Sequence, residues 1–140
     1  MIVPPVPPEE AALNALRTFR EAMALGDLSL ALALVDRDAT LVDDLVGAAA
    51  ADASRGEVLL ELRSVLAQGL EVEEQSQRVS LPGGVAVVVS QLVLRVVDPE
   101  APDPVQEMDG RRLHETVVLV PTDDGWRLRH LHRSLVPESP

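Results

Sequence analysis

Residues 125–134 read GWRLRHLHRS and carry the single tryptophan and two of the three histidines of the chain. The alternation of residue types predicts a strand. It sets Trp126, Leu128, His130, His132 and Ser134 on one face and Arg127, Arg129, Leu131 and Arg133 on the other. Two imidazoles at i and i+2 can serve as a metal pair, as a catalytic pair, or as the polar lining of a pocket or interface. Zinc takes three or four protein ligands. The chain has no cysteine, and only His114 or Glu115 remains to complete a set whose spacing nothing enforces. No metal is therefore expected, and a pocket or interface lining is. Two further stretches hold chemistry-bearing residues. Asp43, beside Asp44, is either a solvated strand end or a carboxylate held in a pocket. Arg95 interrupts the apolar run VLRVV, and a buried guanidinium needs an anion, from Glu115, from Asp43 or from a ligand carboxylate. Arg127, Arg129 and Arg133 read as a basic stripe facing a partner's acids or an anionic ligand.

The elements that must position these residues follow from periodicity. After an extended, proline-rich arm over residues 1–8, Glu9 and Glu10 open a helix at its positive dipole end. Ala12, Leu16, Phe19 and Met23 form its apolar stripe, and Gly26 stops it. Asp27 caps a shorter helix with Leu28, Ala31, Leu32 and Val35 inward. Ala39–Asp43 reads as a short strand, with Leu41 and Asp43 on one face. The segment GAAAADA reads as loop or a weak helical turn. Ser54 and Glu57 have capping-box spacing ahead of Val58, Leu59, Leu62, Val65 and Leu66, and Gly69 ends that helix. The period then changes. Residues 71–81 alternate weakly, Pro82-Gly83-Gly84 turns, and residues 85–97 form a β-branched strand apolar enough to be covered on both faces. Residues 98–110 are a surface loop, 111–120 a strand, and Asp124-Gly125 a hairpin turn. Helices followed by an antiparallel meander give an α+β layout, a curved sheet with helices on one face enclosing a cone-shaped pocket.

Bulk properties narrow the function classes. One domain over residues 9–137 is expected from 140 residues, and 46% hydrophobic residues suffice for a core built of Leu, Val and Ala. The formal net charge of −11 argues against nucleic acid and anionic membrane as partners. Disulfides and thiolate chemistry are excluded. No apolar run approaches the roughly 20 residues of a membrane span, and MIVPPVPPEE lacks the layout of a secretory signal, so a cytoplasmic location is expected.

The C-terminal residues carry a resemblance. His114-Glu115-Thr116, Asp124-Gly125-Trp126 and His130-Leu131-His132-Arg133-Ser134 with Pro137 resemble, in the same order, the end of the calcium/calmodulin-dependent protein kinase II association domain. Gly26-Asp27 is similar to that family's G-D. The layout resembles the wider nuclear transport factor 2-like, or SnoaL-like, superfamily. The resemblance implies a pocketed fold of cystatin-like α+β type, no cofactor, and self-association through the outer sheet surface as a homodimer or higher homo-oligomer. It also implies a small-molecule ligand for a pocket lined by Arg95, Glu115, His130, His132 and Phe19. Arg95 matches an arginine that points into the pocket in that family. A second resemblance points to catalysis: ATLVDDLV, residues 39–46, is similar to a ketosteroid isomerase segment that places Asp43 on the general base. In those enzymes a tyrosine donates to the oxyanion. Its place here is about Phe19, which has no donor, and the second donor falls near Thr116 or Val117. The resemblance thus implies an isomerase, cyclase or dehydratase with Asp43 as base, a ligand-binding protein, or an assembly module with a vestigial pocket.

Overall fold

The computed structural model describes residues 6–46 and 54–138. Most of the proline-rich arm and the GAAAADA segment lie outside them. Helix α1 spans Pro8–Leu25, with proline in its first turn, where the missing N–H is not needed. It buries Ala12, Leu16, Phe19, Ala22 and Met23, and ends at Gly26 in the left-handed region with φ of 75°. Asp27 then caps α2 (Leu28–Ala33), its carboxylate accepting from Leu30 N at 3.1 Å. Strand β1 is Val35–Asp43. It starts earlier than expected, since Val35, expected on the second helix, is its first residue. Ser54 caps α3 (Arg55–Leu66): its Oγ accepts from Glu57 N at 3.3 Å and donates to Glu57 Oε1 at 3.1 Å, so the N-cap half of the expected capping box forms and Glu57 closes it on the serine side chain rather than on its backbone N–H.

Strands β2 (Leu70–Ser80), β3 (Ala86–Val96), β4 (Arg112–Thr122) and β5 (Gly125–Leu135) follow. A short helix, α4 (Asp103–Gln106), lies inside the segment expected to be all loop; it has Ala101 and Val105 to bury against Leu92, Leu94 and Leu113. The sheet order is β1-β5-β4-β3-β2. β2 through β5 form the expected antiparallel meander, while β1 pairs parallel to β5 at the edge, so the curved sheet is mixed. Helices α1 to α3 pack on one face. Register shifts interrupt β1, β2 and the β4–β5 ladder, and such bulges bend a sheet and sharpen its twist. Among the described residues no helix packs on the other face. Val93 is buried there but Val89 is 43% exposed, so β3 is covered on its outer side only in part, not throughout as its composition suggested.

One bulge decides the orientation of the last strand. Leu119 pairs with Leu128, but Val118 pairs with His130, so Arg129 is the extra residue. Leu128 and Leu131 both point to the helices and are buried, as is Arg133, while His130 and His132 point away. Unbroken alternation from Trp126 would have put Leu128 and His130 on one side.

Candidate functional site

The strand register sets residues in rows across the inner sheet face. One row reads Leu41, Leu131, Val117, Val88 and Val79, from β1, β5, β4, β3 and β2. The row two residues along reads Asp43, Arg133, Glu115, Ser90 and Gln77, polar in every strand. The next is largely apolar again, with Leu135, Leu113 and Leu92. The polar row therefore runs between two hydrophobic clusters. One is built on Leu16, Phe19, Leu59 and Leu128, the other on Leu70, Leu92, Leu94 and Leu113.

A buried row of this kind is stable only if its polar groups find partners. Arg133 is the hinge of the arrangement. Its Nε donates to Glu115 Oε2 at 2.6 Å and its Nη1 to Asp43 Oδ2 at 3.3 Å. The three side chains are 4%, 0% and 1% exposed. Arg20 descends from α1 onto the same row, with Nη2 on Glu115 Oε1 at 2.5 Å and on Ser90 Oγ at 3.1 Å. Its Nη1 reaches Glu74 Oε2 at 3.3 Å and Gln77 Oε1 at 3.5 Å. The ions thus alternate in sign along a chain of contacts: Asp43, Arg133, Glu115, Arg20, Glu74. Asp43 Oδ1 also accepts from Leu45 N at 2.9 Å.

The two buried carboxyls respond differently. Burial pushes Asp43 above its ordinary value, more than Arg133 and the Leu45 amide pull it down. Glu115 is buried too, yet its two guanidiniums hold it below the ordinary value. Glu115 and Asp43 in turn hold Arg133 above its own.

Beside the network lies a cavity of about 230 Å³ lined by Arg20, Met23, Ala24, Leu66, Leu70, Glu71, Val72 and Arg133. Its wall is apolar apart from the two arginines and Glu71. Among the described residues no side-chain or backbone acceptor takes Arg133 Nη2, and Arg20 Nε is buried without a partner. Arg20 Nε has almost no accessible surface, so the donor left for a ligand at this apolar cavity is that of Arg133, and it suits an oxygen acceptor, most strongly an anionic one. A wider, open depression of about 380 Å³ beside α2 is lined by Arg37, Arg55 and Arg127; Arg37 is exposed to solvent, and the other two are engaged by backbone. Arg55 Nη1 donates to Leu32 O and Val35 O, each at 3.0 Å, and Arg127 to Ala33 O.

The expected site residues separate into two groups. Asp43 and Glu115 lie in the buried row, in contact with Arg133, and Phe19 is fully buried in the core cluster beside Arg20; none of the three lines the cavity itself. Arg95, His130 and His132 are not at the pocket. Arg95 alternates to the outer face, where it is half exposed and pairs with Glu73 at 3.4 Å; it sits one residue out of phase with Leu92, Leu94 and Val96. His130 and His132 face outward because of the bulge at Arg129. Their rings stack with centroids 6.5 Å apart and planes at 3°, and His130 Nδ1 is 2.6 Å from Thr40 Oγ1. Among the described residues no cluster of His, Asp and Glu is arranged to hold a metal ion.

The arginine of the pocket is Arg133, assigned from sequence only to a basic stripe, and Arg20 was not singled out. A signal for the row was present. Leu41-x-Asp43, Glu115-x-Val117 and Leu131-x-Arg133 each set a charge two residues from a core apolar residue, with acids on two strands and a base on the third. Arg20 stands four residues after Leu16 and three before Met23, at the edge of the buried stripe of α1.

The chain matches the SnoaL-like domain family over residues 13–138. No curated protein matches it. Among solved structures it is similar to the CaMKII hub of S. rosetta, at 23% identity and TM-score 0.73, over 95% of this chain and 100% of that one. It is similar to a candidate ketosteroid isomerase from Shewanella frigidimarina, at 20% identity and TM-score 0.68, over 89% and 94% of the two chains. It is also similar to a candidate dehydratase of the NTF2-like family from Streptomyces avermitilis, at 25% identity and TM-score 0.65, over 93% and 96%. The sheet wrapped on three helices, the polar row at its centre and the match over nearly the whole length agree: the chain belongs to the SnoaL-like family, of NTF2-like, cystatin-like fold.

Proposed function

We propose that the protein binds a small, partly apolar molecule through a carboxylate or carbonyl group seated on Arg133 and Arg20. The observation that carries this reading is the uncommitted Arg133 Nη2 at the wall of an otherwise largely apolar cavity. At about 230 Å³ the cavity lies below the 300–1,000 Å³ of drug-sized sites, so the ligand is a short one. Glu115 and Asp43 hold the guanidinium in place, which reduces the ordering cost of binding. Calorimetry with butyrate, butyramide and butane tests this. Butyrate is expected to bind most tightly, and Arg20→Gln to weaken it about tenfold or more. Equal affinity for all three probes, or none for any, would remove the guanidinium from the account.

A second reading is enzymatic, with Asp43 as general base in an isomerase, cyclase or dehydratase reaction. Its support is that Asp43 is buried and its carboxyl is raised above its ordinary value, the direction in which a carboxylate becomes a better general base. Asp43→Asn leaving turnover of a substrate unchanged would end it. The self-association expected from the sequence is proposed for the open sheet face, where a second copy would cover the exposed valines; an assembly role alone would leave the cavity without a ligand.

A further inference from the structure

The site's charge balance leads beyond the binding reading, on which this inference rests. Arg20 and Arg133 are the two cations of the contact chain; Asp43, Glu115 and Glu74 are its three anions. The charged network thus already holds one negative charge in excess, with Glu71 also at the cavity wall. Among the described residues, the other groups that touch the network or line the cavity are neutral, with Ser90 from β3, Gln77 from β2 and Leu66 from α3. An anionic ligand adds a further negative charge where little water screens it.

We infer that anion binding at Arg133 is coupled to protonation of Asp43, one proton being taken from solvent for each ligand bound. The geometry selects Asp43 among the three acids. Glu115 is gripped by two guanidiniums at 2.5 and 2.6 Å. Glu74 is 35% exposed, so water screens it from a charge arriving in the cavity. Asp43 is 1% exposed and has one cation, Arg133, at 3.3 Å. That same guanidinium is the one the ligand engages. A carboxylate arriving at Nη2 shares Asp43's only counter-ion and sets a like charge nearby, and both effects favour the protonated carboxyl. The burial that already lifts Asp43 works in the same direction. Once protonated, Asp43 donates or accepts without charge, and the ligand takes its place as the second anion on Arg133.

Proton uptake makes affinity pH-dependent. Between the carboxyl's values in the free and bound states, Kd weakens by up to tenfold for each pH unit gained, as linkage requires of a single coupled proton. The experiment is isothermal titration calorimetry of the full chain at several pH values between 5 and 8, repeated in buffers of different ionisation enthalpy. Propane-1-sulfonate and butyrate are the probes, because the sulfonate stays ionised throughout and its own titration cannot supply the effect. Uptake approaching one proton per sulfonate is expected somewhere in this range, with Kd rising alongside pH. Asp43→Asn should bind at every pH with the affinity the unaltered protein reaches at its acid end, and with no uptake. Glu74→Gln should keep the uptake. Sulfonate binding without proton exchange at any pH would overturn the inference while leaving the binding reading intact, as would uptake that survives Asp43→Asn. The proton count on the unaltered protein needs no variant to fold. If neither probe binds at millimolar concentration, the binding reading itself fails and the coupling with it.

Discussion

Asp43 and Glu115 share one guanidinium and yet are shifted in opposite directions, so they act on stability in opposite pH windows. For Asp43 the folded value lies above the unfolded one. Its contribution is complete below the unfolded carboxylate value, about pH 4, and is lost as pH rises through the folded value. For Glu115 the folded value lies below the unfolded one. Its contribution is present above about pH 4 and is lost as pH falls through the folded value. Urea unfolding of the unaltered protein, Asp43→Asn and Glu115→Gln between pH 3 and 8 separates the two. The Asn variant should gain on the unaltered protein as pH rises past about 4, since it no longer carries a charge whose burial outweighs its single ion pair with Arg133. The Gln variant should fall behind below that point, as pH rises from the folded value of Glu115 to about 4, and stay behind above it by up to about 3–5 kcal/mol, because Arg20 and Arg133 lose their shared anion. An Asn variant that loses ground with rising pH would mean that Arg133 outweighs the burial of Asp43.

At the scale of elements, the passage from α3 into β2 forms one wall of the cavity through Leu66 and Leu70, and Gly69 makes the turn between them. Its φ is 96°, and a Cβ there would lie 2.4 Å from Asp98 Cβ. Gly69 O also accepts from Val97 N at 2.8 Å, tying the turn to the end of β3. Gly69→Ala should therefore cost about 1–3 kcal/mol from backbone strain, with displacement of Asp98 adding to it. It should also weaken butyrate binding by moving Leu66 and Leu70. A variant as stable as the unaltered protein would show that the turn relaxes freely. This glycine was legible in the sequence as a helix stop, as were Gly26, the Asp27 cap and the Ser54 capping box, since these signals are local. That Asp43 shares a face with Leu41 was legible too, but not whether that face is buried or solvated; Leu41 lies in the core and Asp43 follows it. The faces of the last strand were not. They depend on an extra residue at Arg129, and a bulge changes register without changing composition. Arg95 misled for a related reason: an arginine among valines and leucines suggests burial, but it alternates to the outer face of β3, which no helix among the described residues covers and where its own side chain is 47% exposed.

For the molecule as a whole, the open sheet face is the surface where its charge matters most. The chain carries a net charge of −11, so two copies repel across most orientations. The middle of the outer face is set by the register as Thr40, His130, Val118 and Val87 in one row and Val42, His132, Thr116 and Val89 in the next, with no carboxylate among them. Val42 is 37% and Val89 43% exposed. Depletion of charge with exposed aliphatic side chains is the composition of an interface core, and a two-fold pairing of this face with itself would cover them. Light scattering is expected to give a dimer at micromolar concentration. Thr116→Glu with Val89→Glu should give a monomer with an unchanged circular dichroism spectrum, because each added carboxylate faces its counterpart across the interface while the inner face keeps its core. Salt gives an independent sign. If association rests on apolar burial against a background of net repulsion, raising ionic strength from about 0.01 to 0.15 M shortens the Debye length from roughly 30 to 8 Å and should tighten the dimer. Weakening by salt would instead place ion pairs at the contact and move the interface to the rim, where Arg95–Glu73 and Arg129–Asp36 lie.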